Sequence, residues 1–166
     1  MSPTFTLRLA KEDFKFSVAH FTIFGEGRAE PLHGHNYRLA LELEGEALDE
    51  TGLLADCDRF KRAARSVCAM LDDKVLLAAK SPHVEIVVEE GSLVASFAER
   101  LYRIPEDETL RLPLANVSME LLARWAWEHL AREAGGTAVR VLTVEIEETP
   151  GQLCRYRAPL RGGAES

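Results

Sequence analysis

Cysteine is scarce: only Cys57, Cys68 and Cys154 occur, scattered and odd in number. They form no C-x-x-C pair, so neither a disulfide framework nor a cysteine-ligated zinc site is indicated, and small buried hydrophobes are the simpler reading. No stretch approaches the roughly 18 uninterrupted apolar residues of a membrane-spanning helix. The first residues, MSPTFTLRLAKEDFKF, lack a continuous apolar run and a small-residue cleavage site, so no secretory signal is expected and a cytoplasmic protein is the default. Basic residues are also in deficit. Twenty Lys and Arg stand against 27 Asp and Glu, for a net charge of −7. Without a basic run to neutralise phosphates, a nucleic-acid surface is not expected. An anionic small substrate stays open, since a few placed cations suffice for one.

What is present is an ordinary globular composition, 46% hydrophobic over 166 residues, which suits one domain. That domain is expected to span residues 1–160, with 161–166 a disordered tail. Residues 4–10 and 36–47 alternate apolar and polar side chains as half-buried strands do, and a further extended stretch runs from Phe14 to Phe21. Asp56 is a candidate N-cap for a helix ending near Leu71, with Phe60, Ala64, Val67, Cys68 and Leu71 on its apolar face. Residues 84–89 and 93–98 read as a hairpin across Glu90-Gly91-Ser92. Ser118 caps a second helix over about 119–133, stopped by Gly135-Gly136. Residues 138–148 and 152–158 close the chain as another hairpin around Pro150-Gly151. The order predicts an α+β architecture, an antiparallel sheet with two helices on one face.

The chemistry concentrates in histidine. In His33-Gly34-His35 the two imidazoles lie two residues apart, and on a strand they project to one face. Gly34 removes a side chain from the crowded position between them. His20 ends Phe16-Ser17-Val18-Ala19-His20, the strand expected to pair with this one. Three neutral imidazoles without a fourth protein ligand describe a catalytic zinc site with an open position. Each histidine taken singly reads equally well as a surface or core residue. His83 and His129 have no partner at ligand spacing and are read as structural.

These residues resemble a known family. Phe16 to His20, followed by Leu32-His33-Gly34-His35-Asn36-Tyr37, is similar to the zinc-binding signature of 6-pyruvoyltetrahydropterin and 6-carboxytetrahydropterin synthases. Gly52 to Asp56, Leu71-Asp72, Ser118-Met119-Glu120 and Glu148-Thr149 follow in the family's order. The likeness covers nearly the whole chain except about residues 78–113, an inserted segment carrying the hairpin. It implies a tunnelling fold, Zn2+ held by His20, His33 and His35, and a homo-oligomer. In that assembly trimers close into a barrel and stack as hexamers, with active sites between subunits. It also implies pterin contact at Glu148, with Thr149 and Ser118. A carboxylate can accept two parallel hydrogen bonds from the amino-pyrimidine edge of such a ring.

Two departures bear on the reaction. The family's catalytic cysteine falls at Ala29, and the next residue is Glu30, which resembles a glutamate-type branch of the family. In that branch the side chain of 7,8-dihydroneopterin triphosphate is cleaved to 6-hydroxymethyl-7,8-dihydropterin, a folate precursor. Glu30 is then the candidate general base, the more so if partial burial raises its pKa. The family's Asp-His pair reads Asp72-Asp73, two carboxylates that either share a proton or merely close a helix. The alternatives are a 6-carboxytetrahydropterin or 6-pyruvoyltetrahydropterin synthase, and a non-catalytic relative that keeps zinc and pterin.

Overall fold

In the computed structural model, residues 3–160 are described, and the tail expected over 161–166 lies outside them. The main sheet has seven strands: β1 (Phe5–Leu9), β2 (Lys15–His20), β5 (His33–Gly45), β6 (Lys74–Ala78), β10 (Thr109–Leu112), β11 (Val141–Thr149) and β12 (Gln152–Pro159). Its order is β10-β6-β2-β5-β11-β12, with β1 also paired to β5. The pairs of β5 with β1, β2 and β11, and of β11 with β12, are antiparallel, as the alternating segments predict. The edge formed by β6 and β10 is parallel, so the sheet is mixed rather than wholly antiparallel. That edge joins distant segments, a pairing that periodicity cannot reveal.

Two helices cover one face. Helix α1 (Cys57–Leu71) starts at Asp56, whose side chain accepts from the Asp58 N–H. Helix α2 (Met119–Leu130) starts at Ser118, whose hydroxyl accepts from Leu121, and runs on as a 3-10 turn to Ala134. Side chains alternate along a strand, so Leu39, Leu41 and Leu43 of β5 face the helices together with Leu142, Val144 and Ile146 of β11. They bury against Phe60, Ala64, Val67, Leu122 and Ala126. Neither helix is long and apolar enough to cross a membrane.

The inserted segment is larger than a hairpin. It forms a three-stranded antiparallel sheet, β7 (Glu85–Glu89), β8 (Ser92–Phe97) and β9 (Arg100–Pro105). The third strand escapes the sequence reading because its alternation is charged and partial: Arg100, Tyr102 and Ile104 are half-buried while Leu101 and Arg103 are exposed. This sheet has its own core, in which Leu93, Ala95 and Phe97 bury against Phe21 and Leu77. Burying side chains of that size contributes about 1.5–3 kcal/mol each. Half-buried Ile23, Ala29 and Leu32 join the cluster. They flank the short ribbon β3 (Ile23–Gly25) and β4 (Arg28–Ala29), whose turn uses Gly27 at φ 66°. The second core therefore ties the insertion to the chain between His20 and His33.

Candidate active site and metal centre

The antiparallel register sets His20 of β2 directly opposite His33 of β5, and His35 follows on the same face two residues on. One ligand nitrogen from each of the three lies within 4.8 Å of the others. Gly34 between them is favoured by space, since a Cβ there would sit 3.3 Å from the Val18 carbonyl oxygen, tighter than an ordinary contact. His83 and His129 stand outside this group. The Nδ1 of His129 is 2.8 Å from the Trp125 carbonyl oxygen, one helical turn back.

Hydrogen bonds choose the tautomers. The Nδ1 of His20 lies 3.0 Å from the Val117 carbonyl oxygen, and that of His33 lies 2.8 Å from the Pro31 carbonyl oxygen. A carbonyl only accepts, so each Nδ1 carries a proton, which in the neutral ring leaves the Nε2 lone pair for a ligand. His20 is buried, which lowers its pKa and favours the neutral ring that a metal requires. Its Nε2 is 3.0 Å from the Tyr37 hydroxyl, but that hydroxyl donates to Glu148 Oε1 at 2.5 Å. One phenol has one proton, so the His20 Nε2 lone pair faces oxygen without a donor of its own. A buried lone pair of this kind, beside two more imidazoles, fits a cation.

Glu148 closes the site from β11. Besides Tyr37, it accepts from the Gln152 amide at 2.9 Å, and its Oε1 is 3.3 Å from His20 Nε2 and 3.7 Å from His35 Nε2. Thr149 and Asp73 line a cleft of 590 Å³ together with His35, Glu148, Ser17 and Lys74. Asp73 has φ 56°, a left-handed backbone, and its N–H donates to the Ser17 carbonyl. Asp72 is turned to other work: its carboxylate accepts from the Ser17 N–H at 2.7 Å, tying the end of α1 to β2. Ser118 lies beside Val117, whose carbonyl orients His20, with its hydroxyl engaged by α2.

Residues 8–159 match the family model for 6-pyruvoyl tetrahydropterin synthase. The chain belongs to the 6-pyruvoyl tetrahydropterin synthase family. A relative from Pyrococcus abyssi, provisionally named a 6-carboxy-5,6,7,8-tetrahydropterin synthase, is 30% identical over 148 residues, covering 89% of this chain and 88% of its own. The crystal structure of 6-pyruvoyl tetrahydropterin synthase from Plasmodium vivax superposes with a TM-score of 0.89 at 25% identity, over 95% of this chain and 99% of that one. Two variants of the same enzyme, described as catalytic residue mutants and carrying alanine or cysteine in place of a glutamate, match at 24% identity with TM-scores of 0.88 and 0.89. The fold is the family's tunnelling fold, and the protein is a tetrahydropterin-synthase-type lyase acting on pterins.

In this family member, Glu30 stands at the rim of the histidine group, its Oε2 3.9 Å from His33 Nε2. The same oxygen accepts from the Thr22 N–H at 3.0 Å, and the Glu30 N–H donates back to the Thr22 carbonyl. Burial alone would raise its pKa, as the sequence suggests. Against burial, the largest single influence, hydrogen bonding to Thr22 weighs most, and the carboxyl sits below its ordinary value of 4.5. The direction has a simple cause: half-burial costs a carboxylate less than its donors together return. Tyr37, Thr22 and Val117 escape the sequence reading as site residues. Tyr37 alone carries a signal there, since it continues the two-residue period of His33 and His35.

Proposed function

We propose that this lyase binds zinc through His20, His33 and His35 and cleaves the side chain of 7,8-dihydroneopterin triphosphate, giving 6-hydroxymethyl-7,8-dihydropterin. The observation that carries the reading is the place of Glu30, an ionised carboxylate 3.9 Å from His33 Nε2, next to Ala29 where the family's cysteine would stand. The glutamate named catalytic in the Plasmodium vivax enzyme supports a carboxylate in this role. With zinc bound, the site supplies Lewis acidity toward an oxygen of the substrate side chain.

The residues divide the remaining work. Glu148 and Thr149 anchor the amino-pyrimidine edge of the pterin at the end of β11, with Ser118 closing that side. Glu30 takes the proton from the second side-chain hydroxyl. The bond between the first and second side-chain carbons breaks, and its electron pair passes into the ring imine. A two-carbon aldehyde leaves with the triphosphate. The first carbon gains a proton relayed by Asp73 from the edge of the cleft and becomes a hydroxymethyl group. Asp72 supports it by holding β2 at Ser17.

A 6-carboxytetrahydropterin synthase is the second reading, favoured by the names of relatives such as that from Haemophilus influenzae. The cysteines weigh against it. Cys68 is buried in α1 with its thiol pushed up to about 12, and neither Cys57 nor Cys154 lines the cleft. Assembly with sites between subunits is part of the proposal, supported by the outer strands β10 and β12, each paired on one side only among the described residues. Incubating zinc-loaded protein with 7,8-dihydroneopterin triphosphate and identifying the product by mass tests the reading. A hydroxymethyl product supports it, whereas a 6-carboxy or 6-pyruvoyl product overturns the role of Glu30.

A further inference from the structure

The N–H, the carbonyl and one carboxylate oxygen of Glu30 are each held in place, and the holders come from two sides. Thr22 takes its N–H and its carboxylate. Its carbonyl is held from the inserted sheet: Arg100, at the start of β9, donates from Nη1 to the Glu30 carbonyl at 2.6 Å and from Nη2 to the Ala29 carbonyl at 3.1 Å. Two bonds from one planar guanidinium fix the peptide units on both sides of the Glu30 Cα, which a single donor cannot do. Among the described residues Arg100 has no carboxylate partner, so its charge is directed at these two carbonyls. Its guanidinium lies 5.9 Å from the centre of the Phe97 ring, and Phe97 packs on Phe21, the residue before Thr22. One inserted sheet thus braces both the Thr22 side and the carbonyl side of Glu30.

We infer that Arg100 is the positioning residue for Glu30 and that the inserted sheet serves as the scaffold of the catalytic base. The inference rests on the reading of Glu30 as the base. A base misplaced by ~1 Å loses on the order of 100-fold in rate, so the contribution of Arg100 falls in turnover rather than in binding.

The test is a double-mutant cycle on the zinc-loaded full chain, with kcat, KM and zinc content measured for Arg100→Ala, Arg100→Lys, Glu30→Gln and Arg100→Ala/Glu30→Gln. Arg100→Ala is expected to lower kcat by about 10- to 100-fold, with KM within about threefold and zinc content unchanged. Arg100→Lys, which reaches one carbonyl only, falls between it and the parent. In the Glu30→Gln background the loss of Arg100 costs less than about twofold, because nothing is left to position. Arg100→Lys and Arg100→Gln keep a long side chain at this position and carry the comparison if the alanine variant does not fold. Turnover within twofold of the parent for Arg100→Ala, or a full further loss on top of Glu30→Gln, overturns the inference. Full turnover by Glu30→Gln instead removes the base itself, a failure distinguishable from a slow Glu30→Gln beside a normal Arg100→Ala.

Discussion

His20 and Val117 are 97 residues apart in sequence, yet the carbonyl of one sets the tautomer of the other across 3.0 Å. The residue that bears it is itself held through its N–H. The Asn116 side chain accepts from the Val117 N–H and from the Ile23 N–H, and its amide donates to the Ile23 carbonyl, each at 3.0 Å. Asn116→Ala is therefore expected to weaken zinc binding by about 10-fold without removing a ligand, as loss of an orienting partner does. Competition with a chelator measures this, and unchanged affinity would show that Asn116 does not orient His20.

Removing a ligand should act more severely. His35→Ala is expected to lower zinc affinity by more than about 100-fold, beyond the range for orienting partners. It should leave the sheet folded, because His35 sits at the half-exposed end of β5. Metal per chain after dialysis, read beside the circular dichroism spectrum, separates the two effects. Stoichiometric zinc in the variant would remove His35 from the ligand set.

Much of this was legible beforehand because the signals are local. Asp56 and Ser118 announce their helices as caps, and His33, Gly34 and His35 announce a strand with two ligands on one face. His20 could be joined to them because β2 and β5 are close in sequence and antiparallel. The rest depends on contacts between distant segments. The parallel pairing of β6 with β10 encloses a third inserted strand that reads as a connection. The lowered pKa of Glu30 depends on Thr22, eight residues away around a turn, and its carbonyl depends on Arg100, seventy residues away. Periodicity carries no information about such pairs.

Acid should weaken the far face of the sheet. Glu145 of β11 is buried and accepts from Arg8 at 2.8 Å and from Arg155 at 2.6 Å, and these bonds, that with Arg8 foremost, hold its carboxyl below 4.5 despite burial. A carboxyl whose folded pKa is depressed contributes stability that is present above its unfolded value and lost as pH falls through the folded one. Glu145→Gln should therefore lower stability near neutrality and flatten its decline below pH 4.5. Urea melts between about pH 3 and 7 measure both. Parallel curves for variant and parent would assign the acid sensitivity elsewhere.

The phenol of Tyr37 is buried and donates to Glu148, and burial pushes its pKa far up, so it remains a donor throughout the working range. Tyr37→Phe keeps the ring stacked on Phe16 while removing that bond. The expected cost is about 1 kcal/mol of stability. Because Glu148 then loses a fixed donor, KM for the pterin should also change by severalfold, with zinc content retained. A stability loss with unaltered KM would confine Tyr37 to the core.

Two glycines of β5 separate backbone approach from metal geometry. At Gly45 a Cβ would fall 2.4 Å from the Ala138 carbonyl oxygen and 2.7 Å from Leu54 Cδ1, so the backbone at the end of β11's neighbour must move. At Gly34 it would meet only the Val18 carbonyl oxygen, at 3.3 Å, and a shift of a few tenths of an ångström relieves it. Gly45→Ala is accordingly expected to cost about 1–3 kcal/mol, the usual range for overpacking, with zinc bound normally in the folded fraction. Gly34→Ala should cost less stability but displace β2 from β5 at the point where His20 faces His33, and so weaken zinc binding. Denaturant midpoints and chelator competition on both variants give four numbers. The reverse ranking, with Gly45→Ala losing metal and Gly34→Ala losing stability, would refute the assignment of each glycine.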